Sequence, residues 1–133
     1  AGSGRRSDRM PIKVKFDHAR RYVEAVAEGE VSLADFEEFL DAVMVADALT
    51  YRKLFDGRGS YGKYTDEEVM RLAARLSAYA SMGRRGAVAL VTPVQYFELA
   101  TRVLNLDRRD APGRAFVDLD EARRWLDAQP EIV

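Results

Sequence analysis

The segment 87–91, AVALV, constrains the fold more than any other stretch, because it is a predicted strand without a polar residue. A half-buried strand alternates apolar and polar residues, whereas a strand covered by helices on both faces is apolar throughout. Thr92 and Pro93 follow it, and this pair is typical of a helix start, with threonine as N-cap and proline at the first helical position. The segment therefore predicts the central parallel strand of an α/β fold.

The rest of the chain alternates strand and helix patterns around this segment. Alternating stretches at 10–16 and 22–31 predict an initial β-hairpin, and a short apolar stretch at 51–55 predicts a third strand that ends at Asp56. Three residues that precede amphipathic patterns are predicted helix N-caps: Ser32, Thr65 and Asp118. The predicted order is ββαβαβαβα, an α/β fold with four helices and a mostly parallel sheet of about five strands joined by right-handed crossovers.

One domain accounts for this pattern. Residues 10–129 are predicted to form it, because a chain of 133 residues buries roughly two-thirds of the surface that its unfolded form exposes. Residues 1–9 contain small residues and three arginines with nothing to bury, so we expect a disordered tail or the remnant of a tag.

Composition excludes several classes of function. With 21 basic and 22 acidic residues, the net charge is −1, so the chain lacks the basic character that binds nucleic acid. The absence of cysteine and the single histidine exclude thiolate chemistry and disfavour a metal site, and no cofactor is predicted. No apolar run reaches the ~18–20 residues of a membrane span and no signal peptide is visible, so we expect a cytoplasmic protein.

The polar segment between Asp56 and Thr65 is the predicted working surface, because open α/β folds place functional groups after the ends of their strands. Its sequence, DGRGSYGKYT, predicts a flexible loop suited to contact with a partner protein or a small anion. The residues expected to make these contacts are Asp56, Arg58, Ser60, Tyr61, Lys63 and Tyr64. The glycines match GxGxxG, but the helix does not begin inside the motif and Met82 occupies the place of the ribose-binding acid, so dinucleotide binding is not predicted.

Thr65 has two interpretations. The sequence Thr65-Asp66-Glu67-Glu68 is a capping box, in which the hydroxyl and the last glutamate bind backbone N–H groups of the first turn. The same hydroxyl at a helix N-terminus is also a candidate phosphorylation site, although the three acids that follow would repel a phosphate.

Several strings, taken in order, resemble the STAS-domain superfamily in its SpoIIAA-like form, the anti-sigma-factor antagonist fold, and especially its small stand-alone bacterial members. The strings that carry the resemblance are GEVS at 29–32, the strand end at Asp56, AVALV at 87–91, FELA at 97–100 and FVDLDEA at 116–122. In the antagonist proteins, a serine before the second helix is phosphorylated by a partner kinase and controls partner binding. Thr65 occupies that position here, without the second hydroxyl residue and the glycine of the family motif.

We therefore expect a non-enzymatic regulatory or protein-binding module, since no nucleophile–base pair is visible. A protein partner is expected, and a homodimer is left open. The first alternative is a small-molecule or lipid carrier with a pocket lined by four aromatic residues: Phe55, Tyr61, Tyr64 and Phe97. The second alternative is an enzyme that uses Asp56 together with Lys63.

Overall fold

The computed structural model describes residues 11–83, 85–106 and 113–132. Within them the strands are β1 (Ile12–Asp17), β2 (Tyr22–Glu30), β3 (Arg52–Tyr61), β4 (Val88–Val91) and β5 (Gly113–Phe116). The α-helices are α1 (Leu33–Val45), α2 (Asp66–Ala80), α3 (Phe97–Leu106) and α4 (Leu119–Asp127), and a 3₁₀ turn, Val94–Tyr96, precedes α3. No helix in these ranges is long and apolar enough to cross a membrane. The predicted tail, residues 1–9, lies outside the described residues.

The strands follow one another across a single sheet in chain order, from β1 to β5. β1 and β2 form the predicted antiparallel hairpin, and β2 to β5 run parallel to one another. The predicted α/β fold is therefore confirmed: the order ββαβαβαβα, the mostly parallel five-stranded sheet and the four helices.

β4 is covered on both faces, as its apolar sequence predicts. Ala89 and Val91 are buried in a core cluster that includes Leu126 of α4. Leu90 points to the opposite face and packs against the cluster that contains Phe55. Both sets of side chains are shielded from water because helices lie on each side of the sheet.

The helices are distributed unequally between the two faces of the sheet. On one face, Phe36 and Phe39 of α1 pack against Phe55 of β3, with ring centroids 5.7 and 5.3 Å apart. Helices α2 and α3 complete the cover of this face, and α4 covers the other with the fully buried Ala122 and Leu126. The face beneath α1, α2 and α3 is the one that contains the candidate site.

Three helix starts are fixed by the predicted local hydrogen bonds. Ser32 Oγ accepts from the N–H of Asp35 at 3.2 Å, and Asp35 accepts in return from the N–H of Ser32 at 2.8 Å. Thr65 and Glu68 make the same reciprocal pair at 3.1 and 3.0 Å. The carboxylate of Asp118 accepts two N–H groups of the first turn of α4. The predicted caps at these positions are confirmed.

The prediction that Thr92 caps the following helix is wrong. Thr92 is buried, and its backbone N–H donates to the carbonyl of Phe116 at 2.9 Å, so the pairing with β5 continues past the end of β4. The chain then forms the 3₁₀ turn after Pro93, and α3 begins only at Phe97. A neighbouring strand fixes the backbone here, which the local threonine–proline pair did not indicate.

β3 continues to Tyr61, through most of the segment predicted to be a loop. After a register shift between Val26 and Glu28, residues 28–30 of β2 pair with residues 59–61 of β3. A Cβ atom at Gly57 would lie 3.2 Å from the carbonyl oxygen of Val91, so this glycine allows close approach of β4. The strand therefore ends five residues beyond its predicted end at Asp56, and residues 62–65 alone connect it to α2.

Gly86 offers a test of the packing at the start of β4. Its N–H donates to the carbonyl of Leu49 at 3.0 Å, and a Cβ at this position would collide with the backbone carbonyl of Tyr51. We expect Gly86→Ala to lower the free energy of unfolding by about 1–3 kcal/mol, because backbone must move to accept the methyl group. At the control position, Gly59, the nearest atom would be Glu28 Cγ at 3.6 Å, so Gly59→Ala should lower it by less than about 0.5 kcal/mol. Urea denaturation measures both, and equal losses would contradict the described packing.

Candidate ligand site

The predicted contact residues lie in two different settings. Four of them belong to β3: Asp56, Arg58, Ser60 and Tyr61. Asp56 is the predicted end of this strand, and the prediction of a flexible loop is wrong for the other three. Lys63 and Tyr64 lie in the short connection, and Thr65 is the N-cap of α2. The cause is the long-range pairing between β2 and β3, which no local signal in the glycine-rich sequence reveals.

Asp56 and Arg58 form an ion pair on the surface of β3. Arg58 Nε and Nη2 lie 2.9 and 3.0 Å from the two carboxylate oxygens of Asp56. Partial burial acts to raise the pKa of Asp56, but the hydrogen bonds from Arg58 outweigh it and hold the pKa below its usual value. A carboxylate with a lowered pKa, whose two oxygens already accept hydrogen bonds from Arg58, is a weak proton acceptor, so this pair lends no support to an enzyme that uses Asp56 with Lys63.

The two tyrosines of the predicted contact surface have different roles. The side chain of Tyr61 is 56% exposed. Tyr64 is half-buried: its hydroxyl donates to the carbonyl of Val31 at 2.7 Å and its ring lies 6.0 Å from that of Phe36. Burial, and then the neighbouring Tyr96, raise the pKa of Tyr64 to about 12. Tyr64 therefore joins the start of α2 to the end of β2, and Tyr61 alone of the pair is an exposed aromatic.

Two adjoining apolar pockets lie between the sheet and helices α1, α2 and α3. Their volumes are about 140 and about 120 Å³. Their walls come from one face of β3 and β4 and from the inward faces of the three helices. Five side chains line both pockets: Phe36, Phe55, Leu72, Leu90 and Val103.

Three of the four aromatic residues predicted for a carrier pocket contribute to these walls. Phe55 lines both pockets, and Tyr61 and Tyr64 line the smaller one. Phe97 is not among the lining residues and is 37% exposed, so the prediction is wrong for this residue. The reason is the 3₁₀ turn, which delays the start of α3 to Phe97 and leaves the inward positions to later residues such as Val103.

Lys53 is a buried amine in the lining of the larger pocket. Lys53 is only 7% exposed, and its Nζ donates to the carbonyls of Leu49 at 2.6 Å and Tyr51 at 2.7 Å. Loss of water, together with repulsion from Arg85, lowers the pKa of Lys53 to about 7. The two carbonyl acceptors oppose this by favouring the charged form. The amine therefore titrates near neutral pH.

A polar network closes the outer wall of the larger pocket between α1 and α2. Arg75 of α2 donates to Glu37 at 3.1 Å and to Asp41 at 2.9 Å, both on α1. Tyr79, which lines the pocket, donates its hydroxyl to Asp41 at 2.7 Å. These bonds tie the two helices together across a space that apolar side chains leave unfilled.

From the sequence, Lys53 was not identified as a site residue, and a pocket was predicted only as an alternative, lined by four aromatic residues. A signal was available, because Lys53 lies two residues before Phe55 in a strand expected to be covered by helices, and the strand period of two places both on one face. A lysine in that position must find buried acceptors. The size and position of the unfilled space cannot be predicted from the sequence, because they depend on how side chains from three helices pack together.

Comparison with protein-family models, with curated proteins and with solved structures gave no match for this chain. The similarity to STAS domains therefore stays a prediction that rests on local strings and on the order of elements. Within residues 11–83, 85–106 and 113–132, no three acidic or histidine side chains are grouped in a way that could hold a metal ion. The candidate site is accordingly argued from its own geometry.

The buried amine predicts a pH dependence of stability. Folding lowers the pKa of Lys53 from 10.5 to about 7, so between these values the unfolded chain binds more protons than the folded one. The cost of burying the amine is therefore largest below about pH 7 and is relieved as the pH rises. The free energy of unfolding of the wild type, relative to Lys53→Met, should increase by up to about 1.4 kcal/mol per pH unit above neutral pH.

Urea denaturation of both proteins from about pH 7 to about pH 9 measures this difference. Lys13→Met is the matched control, because Lys13 is exposed on β1, and its difference from the wild type should stay nearly constant over the same range. A constant difference for Lys53→Met would contradict the lowered pKa.

Proposed function

We propose that this protein binds a small, mostly apolar molecule in the two adjoining pockets and acts as a carrier or a ligand-responsive module. The observation that carries the proposal is an apolar cavity of about 140 Å³ with a buried amine, Lys53, in its lining. Small-molecule sites are typically concave and apolar, with a few polar groups that fix the orientation of the ligand. The sequence alone favours a protein-binding module, whereas the cavity favours a ligand.

The volume of the larger pocket supports a ligand of about one ring or one short chain. An apolar cavity of about 150 Å³ is enough to bind benzene. The larger pocket is of this size, and the adjoining space of about 120 Å³ extends it. Side chains around an unfilled space lack dispersion contacts on one side, and an apolar ligand would restore them. The pockets therefore provide a driving force for binding as well as room.

Filling the pocket from the protein side tests the proposal. Val103 is buried and lines both pockets, so Val103→Phe should occupy the space and weaken the binding of toluene by about tenfold or more, as measured by an NMR titration. Overpacking a filled core costs about 1–3 kcal/mol. Because the new ring enters existing space, Val103→Phe should lower the free energy of unfolding by less than this.

Val94→Phe is the matched control, since Val94 is 76% exposed and carries the same substitution outside the pockets. It should bind toluene as the wild type does. Failure of the wild type to bind toluene, or equal binding by Val103→Phe and wild type, would rule out the proposed site.

A second candidate function, binding of a protein partner, is favoured by an exposed apolar patch at the carboxyl end of the parallel strands. Tyr61, Val94 and Phe97 are 56, 76 and 37% exposed. The N–H of Gly62 donates to the hydroxyl of Tyr96 at 3.2 Å, which brings the two segments of the patch together. Aromatic and aliphatic side chains exposed in one place are typical of interaction surfaces. Such a role agrees with the function that the resemblance to anti-sigma-factor antagonists implies.

Tyr61→Ala tests this second candidate. If the patch binds a partner, the affinity-tagged wild type should retain a protein from native lysate. Tyr61→Ala should lose most of that protein, because central aromatic residues dominate the binding energy of an interface. Met82→Ala is the control: Met82 is also exposed, but it follows the end of α2 at the opposite edge of the sheet. Loss of the partner in both variants, or in neither, would speak against the patch.

A further inference from the structure

The buried amine of the larger pocket points to a class of ligand, and this step rests on the proposed function. We infer that Lys53 binds a small apolar aldehyde or ketone as a covalent imine, with the rest of the ligand in the larger pocket. Three features support this: the apolar lining of the pocket, the two hydrogen bonds of the amine, and a second donor to one of its acceptors.

Lys53 lies in a wall that holds no carboxylate. Among the described residues that line the larger pocket, none is an aspartate or a glutamate. Burial, and then repulsion from Arg85, lower the pKa of Lys53 to about 7. An amine must be neutral to attack a carbonyl carbon, and desolvation in an apolar pocket is one way in which lysines become nucleophiles. A substantial share of this amine is therefore neutral at neutral pH.

The two acceptors of the amine fix its orientation. Nζ donates to the carbonyls of Leu49 at 2.6 Å and Tyr51 at 2.7 Å. A neutral amine has two N–H groups, so these two hydrogen bonds and the bond to Cε occupy three of the four tetrahedral directions of the nitrogen. The fourth direction holds the lone pair, which is the nucleophile. The two carbonyls therefore leave the lone pair unengaged and hold the nitrogen in one place, which favours reaction.

Imine formation needs no oxidant, reductant or metal. The nitrogen adds to the carbonyl carbon, and one amine proton passes to the carbonyl oxygen, which gives a carbinolamine. The C–O bond then breaks, the oxygen leaves as water with the second amine proton, and a C=N bond remains. A proton from solution then charges the imine, which carries a single N–H.

The backbone around Lys53 tolerates the loss of one of the two hydrogen bonds. The carbonyl of Leu49 also accepts from the N–H of Gly86 at 3.0 Å, so it keeps a donor when the amine is modified. The single N–H of the charged imine then serves the carbonyl of Tyr51. A buried carbonyl without a donor is costly in a protein interior. The imine therefore replaces the amine without leaving either carbonyl unpaired.

The pocket also limits the ligand and protects the product. Its volume of about 140 Å³ holds one ring or one short chain. Its apolar walls exclude water, which is the reagent that hydrolyses an imine. The three other lysines of the chain are exposed: Lys13, Lys15 and Lys63. Imines on them would be open to water, so Lys53 is the lysine at which a carbonyl compound is retained.

Benzaldehyde tests the inference, because it joins one carbonyl group to a ring of the size of toluene. The wild type is incubated at neutral pH with benzaldehyde and sodium cyanoborohydride, which reduces the imine to a stable secondary amine. Peptide mapping by mass spectrometry then locates the label. Lys53 should be labelled at least about tenfold faster than Lys13, Lys15 or Lys63, because a desolvated amine is the better nucleophile. These exposed lysines are controls within the same molecule.

Two further measurements place the reaction in the pocket. Saturating toluene should slow the labelling of Lys53 several-fold and leave that of Lys13 unchanged. Val103→Phe, which fills the space from the protein side, should slow the labelling of Lys53 to a similar extent. Val94→Phe, with the same substitution at an exposed position, should be labelled as the wild type is.

The outcomes separate this inference from the proposed function. If toluene binds and Lys53 is labelled no faster than the exposed lysines, the imine is ruled out and the proposed function stands. Fast labelling that neither toluene nor Val103→Phe slows would mean that the reaction occurs outside the pocket, and would also overturn the inference. If toluene fails to bind, the proposed function falls, and the inference with it.

Discussion

The parallel register between β3 and β4 is the constraint on which the rest of the structure depends. It aligns Lys53 with Val88 and Phe55 with Leu90, and because side chains alternate along a strand, these four share one face. The intervening Leu54 and Ala89 go to the other face, where α4 covers them. One set of hydrogen bonds thus decides which side chains form a filled core and which form the floor of the pockets. A slip of one residue would exchange the two sets.

The parts of the fold that sequence predicted well are those fixed by neighbours in the chain. Ser32, Thr65 and Asp118 cap helices through partners two or three residues away, and such bonds can be read directly. Thr92 had an equally good local signal, but its N–H is taken by Phe116 of another strand. The end of β3 was misjudged for the same reason, since its last residues are held by β2. Long-range pairing overruled local preference at both places.

The predicted working surface borders only the smaller pocket, whereas the larger pocket lies toward the starts of β3, β4 and β5, at Lys53, Val88 and Gly113. The polar and glycine residues after Asp56 predict a working surface. At that surface Arg58 neutralises the carboxylate of Asp56, and of Tyr61 and Tyr64 only Tyr61 is exposed. The smaller pocket lies below that surface, and Tyr61 and Tyr64 form part of its wall. Predicting the pockets requires knowing which side chains of α1, α2 and α3 face one another and how closely they pack. That is known only when the three helices have been placed on the sheet.

The register shift between Val26 and Glu28 divides β3 into two halves that can change separately. Upstream of it, the pairing holds Lys53 and Phe55, which line the larger pocket; downstream, it holds Ser60 and Tyr61, which line the smaller pocket next to the surface. A bulge absorbs an added or lost residue locally, so a length change there need not turn the upstream side chains to the opposite face. Substitutions at the outer end of β3 therefore change the surface and the wall of the smaller pocket while leaving the larger pocket in place. The irregularity makes the larger pocket and the surface at the end of β3 separable in evolution although they share one strand.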